Sequence, residues 1–179
     1  MLICSTTTER GTDNLHPLTE ATATEDGWRL NGTKYFVTMS SLATHVATNV
    51  RMRDADDDHI ANVLMAMNTE GVHQQGDWDA LGMRASGSQS VKFENCLVPH
   101  DALRKIGPWG QWSTPVLVNR TLANVPLVGA FLGMAATAFE FAVDGQAKEP
   151  KATNRSGVHH ALAEMEILLA TSQSILARL

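Results

Sequence analysis

Apolar positions along the chain change period once. From the N-terminus to about residue 107, short runs rich in Val, Thr, Ile and Phe alternate with turn residues, which is the spacing of β-strands. Trp28-Arg29-Leu30 and Lys34-Tyr35-Phe36-Val37-Thr38 flank Asn31-Gly32. Asn-Gly between two such runs predicts a hairpin, because both turn positions accept positive φ. His45–Arg53 predicts a further strand, Asp54–Asp58 an acidic turn, and Ile60–Met67 an apolar return strand. In Ser90–Glu94, Val91 and Phe93 alternate onto one face. The spacing predicts an antiparallel sandwich or barrel.

Beyond residue 107 the period becomes helical. Thr114-Pro115 reads as an N-cap and first helical residue, and an Ala-, Leu- and Val-rich run follows to Val143. Pro126 within it predicts a kink or a late start, Gly129 and Gly133 share one face and suit close helix packing, and Asp144-Gly145 predicts the end. A polar segment from Gln146 to Gly157 leads to a second helix, Val158–Leu179, with Leu162, Met165, Leu169, Leu176 and Leu179 as its apolar stripe. The fold class is therefore α+β, with a β-domain over 1–107 and part of an α-helical bundle over 108–179. Two such helices cannot bury their apolar faces alone. The expectation is that partner helices come from another chain, or that these 179 residues are a piece of a longer protein.

Composition narrows the function classes. With 44% hydrophobic residues the chain suits a packed core rather than a disordered one. A formal net charge of −5 argues against a nucleic-acid partner. No apolar run approaching the ~20 residues of a membrane span is evident, and the first residues lack the basic and apolar regions of a signal peptide. Two cysteines, Cys4 and Cys96, do not make a disulfide framework, so a cytoplasmic location is expected.

The seven histidines show no metal-ligand spacing, and His159 and His160 point about 100° apart on a helix, so no metal site is expected. The nucleophile-elbow and Gly-Lys-Ser/Thr phosphate-loop patterns are absent. Gly82–Ser88 is glycine-containing but lacks the dinucleotide fingerprint spacing. The Asp54–Asp58 run fits no calcium loop and reads as a solvated turn.

What remains is an ordered string of local patterns. Thr8-Glu9-Arg10-Gly11-Thr12-Asp13 is followed by Leu30-Asn31-Gly32-Thr33-Lys34-Tyr35-Phe36-Val37-Thr38 and Gly71-Val72. Leu81-Gly82-Met83-Arg84-Ala85-Ser86-Gly87-Ser88, Val91-Lys92-Phe93, Val98-Pro99, Gly129–Ala135 and His160–Met165 complete it. In this order they resemble the acyl-CoA dehydrogenase family of flavoproteins, over nearly the whole chain. The resemblance implies a middle β-domain followed by the first two helices of a C-terminal bundle. It also implies FAD in a cleft between the two, α,β-dehydrogenation of an acyl-CoA thioester, an external flavoprotein as electron acceptor, and a homo-oligomer or a full-length partner subunit.

The same resemblance assigns residues. Thr8, Gly11 and Thr12 match a loop that lies along the flavin and its phosphates, although the family's loop commonly carries two more residues and a Pro where Arg10 stands. Phe36 and Thr38 match an aromatic-x-hydroxyl pair, the ring covering a flavin edge and the hydroxyl lying near flavin N5. Strand alternation places both on one face. Arg120 matches an arginine facing the acyl-CoA pocket, with a solvated helix arginine as the plain alternative. Arg84 reads as a structural ion-pair partner. No catalytic residue is expected in this chain: the reaction needs a carboxylate base, and none here matches its position. An Arg-x-x-Phe-Gly motif is also missing around Gly145–Pro150. A flavin-dependent monooxygenase of the same fold, or a truncated non-catalytic subunit, are the alternatives, and the short loop with Leu15-His16-Pro17 leaves room for the former.

Overall fold

The computed structural model describes residues 1–53, 57–148 and 155–178. Eight strands form one mixed sheet: β1 (Ile3–Thr6), β2 (Glu20–Thr24), β3 (Gly27–Val37), β4 (His45–Arg53), β5 (Asp58–Ala66), β6 (Val72–Gln74), β7 (Gln89–Val98) and β8 (Leu103–Pro108). Their order is β6-β7-β3-β2-β4-β5-β8, with β1 also on β4. Two helices follow among the described residues, α1 (Thr114–Ala147) and α2 (Ser156–Leu176). The chain divides into two compact units, Met1–Leu117 and Val118–Leu179. The α+β class stands.

Alternation builds the core of the first unit. Val46, Thr48, Val50 and Met52 of β4 are buried, and the partners of the first three across the antiparallel ladder, Met65, Val63 and Ala61, bury the same face. Val91, Phe93, Cys96 and Val98 of β7 extend this core, joined by Leu30 and Val37 of β3. Burying each of the larger side chains contributes roughly 1.5–3 kcal/mol. The single face expected for Val91 and Phe93 is the core face.

One arrangement positions the candidate site. β1 and β2 both run parallel to β4, β1 against His45–Thr48 and β2 against Arg51–Arg53. They act as two pieces of one interrupted strand, and residues 7–19 are the excursion between them. The expectation of a wholly antiparallel sheet is corrected here: the excursion returns the chain in the same direction, so both pieces meet β4 in parallel.

Asn31-Gly32 is a second correction. It forms no hairpin but lies inside the eleven-residue β3, where the register with β7 shifts between Leu30 and Gly32. Glycine is required there for close approach. At φ 153° an added Cβ would stand 2.6 Å from the Cα of Thr19, where the excursion re-enters the sheet. The hairpin is the tight connection one element earlier, with Thr24 opposite Gly27.

The helices depart from expectation at both ends. Ser113 occupies the N-cap position: its carbonyl accepts from the Leu117 N–H, and its hydroxyl accepts from the Val116 N–H and donates to the Ile106 carbonyl. Thr114 is therefore already helical. α1 runs through Pro126 and past Asp144-Gly145 to Ala147, because the Ala-, Leu- and Met-rich sequence on either side favours helix enough to carry it past a lone breaker. This unbroken length also corrects the reading of apolar runs: by length and composition alone α1 is long and apolar enough to cross a membrane. In α2, Leu162, Leu169 and Leu176 are half-buried, as the stripe predicts, whereas Met165 of the same stripe is exposed. A depression of about 320 Å³ between the helices is lined by Leu132 and Phe139 of α1 and Met165 and Leu169 of α2. Residues 54–56 of the acidic turn, 149–154 of the polar segment and Leu179 lie outside the described residues.

Candidate functional site

The excursion 7–19 is held by one buried carboxylate. Glu9 accepts from the Thr19 N–H at 2.8 Å, the Thr19 hydroxyl at 2.5 Å, the Lys34 ammonium at 2.6 Å and the Leu18 N–H. The side chains of Lys34 and Glu9 are 0% and 3% exposed. Burial by itself would raise the Glu9 carboxyl, but Lys34 and the Thr19 and Leu18 donors outweigh it and hold the group below the usual carboxylate value. Burial pulls the Lys34 ammonium below the usual lysine value against the attraction of Glu9. Both ends of the excursion are thus pinned to β3.

Within the excursion, Gly11 turns at φ 75° with open space on its side-chain face. The Thr12 hydroxyl donates to the His16 carbonyl at 2.5 Å, so its proton is engaged inside the loop. Asp13 accepts from the Leu15 and His16 N–H groups and from the His16 ring, which lowers its carboxyl below the usual value. Thr8 is exposed, and its carbonyl accepts from the Tyr35 N–H. The Arg10 guanidinium lies 4.3 Å from the centre of the Tyr35 ring. The excursion therefore leads onto the end of β3, where Phe36 and Thr38 stand.

Phe36 is 61% exposed and has φ 54°, a left-handed conformation that is costly for a bulky residue. The β3–β7 register shifts between Lys34 and Val37, and Thr38 lies past the end of the strand, its N–H bonded to the Phe36 carbonyl. Strand alternation is consequently not what aims these two side chains: a bulge and a tight turn do. Both nonetheless emerge exposed. The Phe36 ring meets Trp78 edge-on at 6.2 Å, and Trp78 is fixed by its indole N–H on the Arg84 carbonyl.

A row of hydroxyls runs inward from Thr38. Its Oγ1 is 2.9 Å from Ser88 Oγ, which is 2.7 Å from Ser86 Oγ. Backbone bonds set this spacing: the Met39 N–H donates to the Ser86 carbonyl and the Ser86 N–H to the Met83 carbonyl. Met39 and Met83 also adopt positive φ, so three strained residues surround one surface. Arg84 pairs with Asp79 and the Ala80 carbonyl, each at 2.8 Å, which is the structural role expected of it. Asp77 accepts from the Ser90 N–H, which lowers its carboxyl below the usual value.

The structure thus brings Thr8, Gly11 and Thr12 onto one loop next to the end of β3, where Phe36 and Thr38 project. Arg120 is exposed on α1 in the second unit. Sequence reasoning missed Glu9, Lys34, Trp78, Ser86 and Ser88 as site residues. Gly82–Ser88 was visible as a motif, yet its hydroxyls meet Thr38 only through the β3–β7 pairing. No group of three metal-ligating side chains occurs among the described residues.

These residues fit a flat redox-active ring better than they fit its phosphates. An exposed aromatic held in a costly conformation beside an exposed hydroxyl offers an apolar edge and a hydrogen bond. Toward phosphate, the excursion offers the Thr8 hydroxyl and the open backbone at Gly11.

Residues 3–96 match the family model described as acyl-CoA dehydrogenase, middle domain. The chain is 35% identical over 134 residues to an L-evernosamine nitrososynthase from a Micromonospora strain, covering 73% of this chain and 32% of that protein. It is 27% identical over 162 residues to the human mitochondrial short-chain specific acyl-CoA dehydrogenase, covering 88% of this chain and 37% of that one. Among solved structures, KijD3 in complex with FMN and dTDP-3-amino-2,3,6-trideoxy-4-keto-3-methyl-D-glucose superposes with a TM-score of 0.82 at 28% identity. That superposition covers 98% of this chain and 44% of KijD3. The chain spans less than half the length of each of these proteins.

Proposed function

The chain belongs to the acyl-CoA dehydrogenase family, and from that premise we propose that it contributes the middle domain of a flavin-dependent oxygenase acting on the amino group of a nucleotide-linked amino sugar. The observation that carries this reading is the 35% identity to a nitrososynthase, against 27% to an acyl-CoA dehydrogenase. The surface at the end of β3, where the exposed Phe36 ring stands beside the exposed Thr38 hydroxyl, suits the flavin that this reading requires.

In this proposal a bound flavin, FAD or FMN, supplies the two-electron redox chemistry. Phe36 covers one edge of the ring and excludes water from it, and Thr38 offers a hydroxyl to the ring. Thr8, Gly11 and Thr12 guide the phosphate end, Thr12 by ordering the loop through His16. Arg120 serves the substrate side. Residues 1–107 are the middle domain and 108–179 the start of the helical bundle. Acyl-CoA dehydrogenation, with an external flavoprotein acceptor, is the second reading, favoured by matches that extend over more of the chain.

The test is product analysis on the full-length protein, given either reduced flavin, labelled oxygen and a dTDP-linked amino sugar, or oxidised flavin, a redox dye and butyryl-CoA. Incorporation of label on the sugar nitrogen is expected. Oxygen-independent dye reduction with butyryl-CoA, and no labelled sugar, would replace this reading with the second one.

A further inference from the structure

The hydroxyl row behind Thr38 has a property that neither serine has alone. Thr38, Ser88 and Ser86 hold three hydroxyl protons for two oxygen–oxygen contacts. Each contact uses one proton, so where both contacts point the same way along the row the spare proton stands at an end. If Ser86 donates to Ser88 and Ser88 to Thr38, the Thr38 proton is free to point outward. If the order runs the other way, the Thr38 oxygen presents a lone pair outward and its proton points inward. Reversal needs only rotation about three C–O bonds, and no covalent bond breaks. Ser88 is the pivot, since it is buried between an exposed Thr38 and a half-buried Ser86.

We propose that Ser88 and Ser86 are positioning residues that let the Thr38 hydroxyl switch between donor and acceptor toward a bound redox ring. The proposal rests on the flavin reading above. A flavin ring nitrogen is a bare acceptor when oxidised and an N–H donor when reduced, so a reversible hydroxyl row matches both forms where a fixed backbone donor would match one. The three strained residues around the row, Phe36, Met39 and Met83, hold the spacing on which this depends. Hydroxyls coupled in a row also polarise one another, which strengthens the outermost contact.

The experiment measures flavin affinity in both oxidation states, with the visible absorption of the bound ring, for the full-length protein and its Ser88→Ala, Ser88→Thr and Ser86→Ala variants. Ser88→Ala leaves Thr38 without its pivot and is expected to bind roughly tenfold more weakly in at least one oxidation state, the scale of one hydrogen bond. Its absorption band should move. Ser88→Thr, which keeps the hydroxyl, should restore both. Ser86→Ala removes only the far end and should give a smaller change in the same direction; it carries the test if Ser88→Ala does not fold. Unchanged affinity and absorption in the alanine variants would overturn the proposal, as would equal losses in Ser88→Ala and Ser88→Thr. A native protein that binds no flavin would overturn the functional reading and this inference together, an outcome distinct from a native protein that binds flavin with silent variants.

Discussion

Lys34 shows how strongly one side chain can hold a functional loop. Its ammonium is fully buried against Glu9, so removing it strands a carboxylate in the sheet. Lys34→Met should cost about 3–5 kcal/mol, the scale for breaking a buried pair. Adding Glu9→Gln removes the stranded charge and keeps an acceptor for the two Thr19 donors, though not for the Leu18 N–H, and should recover part of that loss. Denaturant midpoints of the single and double variants check this, and losses that simply add would contradict it. The same pair sets an acid limb. The folded Glu9 carboxyl lies below its unfolded value of about 4.3, so its stabilisation is fully present above that value and is lost as pH falls through the folded one. Stability measured against pH should decline in that window, and the decline should flatten in the double variant. Phe36 illustrates the opposite trade. Phe36→Gly relieves a left-handed bulky residue and should raise stability by about 1 kcal/mol while weakening flavin binding. Thermal melting alongside flavin titration reads both, and a stability loss would mean that the conformation carries no strain.

At the scale of elements, the interruption between β1 and β2 is what creates the loop, and Gly32 lets the chain return. Gly32→Ala places a Cβ against the Thr19 backbone and should destabilise the β unit by about 1–3 kcal/mol. A variant as stable as the native chain would show that the excursion re-enters with room to spare. The helices carry a second prediction. Leu169 and Leu176 are half-buried, whereas Ile167 and Ile175 are 64% and 60% exposed on α2. Exposed apolar surface of this kind calls for cover, which a second copy would supply. If a second copy does so, Ile167→Lys with Ile175→Lys should reduce self-association in sedimentation, while Leu169→Lys should lower the melting temperature. An oligomer unchanged by the isoleucine replacements would place the interface elsewhere.

Across the whole molecule, what could be read from sequence was what depends on near neighbours. The bounds of β4, the core face shared by Val91 and Phe93, and the seam of α2 all follow from local periodicity. β1 and β2 escaped because they are short, with alternation carried by Thr, Ala and Cys rather than large apolar residues. Asn31-Gly32 misled because its glycine answers to Thr19, twelve positions upstream of Asn31 and visible only once the sheet has formed. The site divided in the same way. Phe36 and Thr38 could be named from a motif, but the bulge that aims them, the Glu9–Lys34 anchor and the serines behind Thr38 are products of long-range pairing. The central claim is that a flavin ring lies on the surface where these features meet. Amide hydrogen exchange of the full-length protein with and without flavin tests it most directly. Slower exchange on flavin addition is expected within residues 8–13, 36–40 and 78–88. Unchanged exchange in those segments, with protection appearing elsewhere in the β unit, would contradict it.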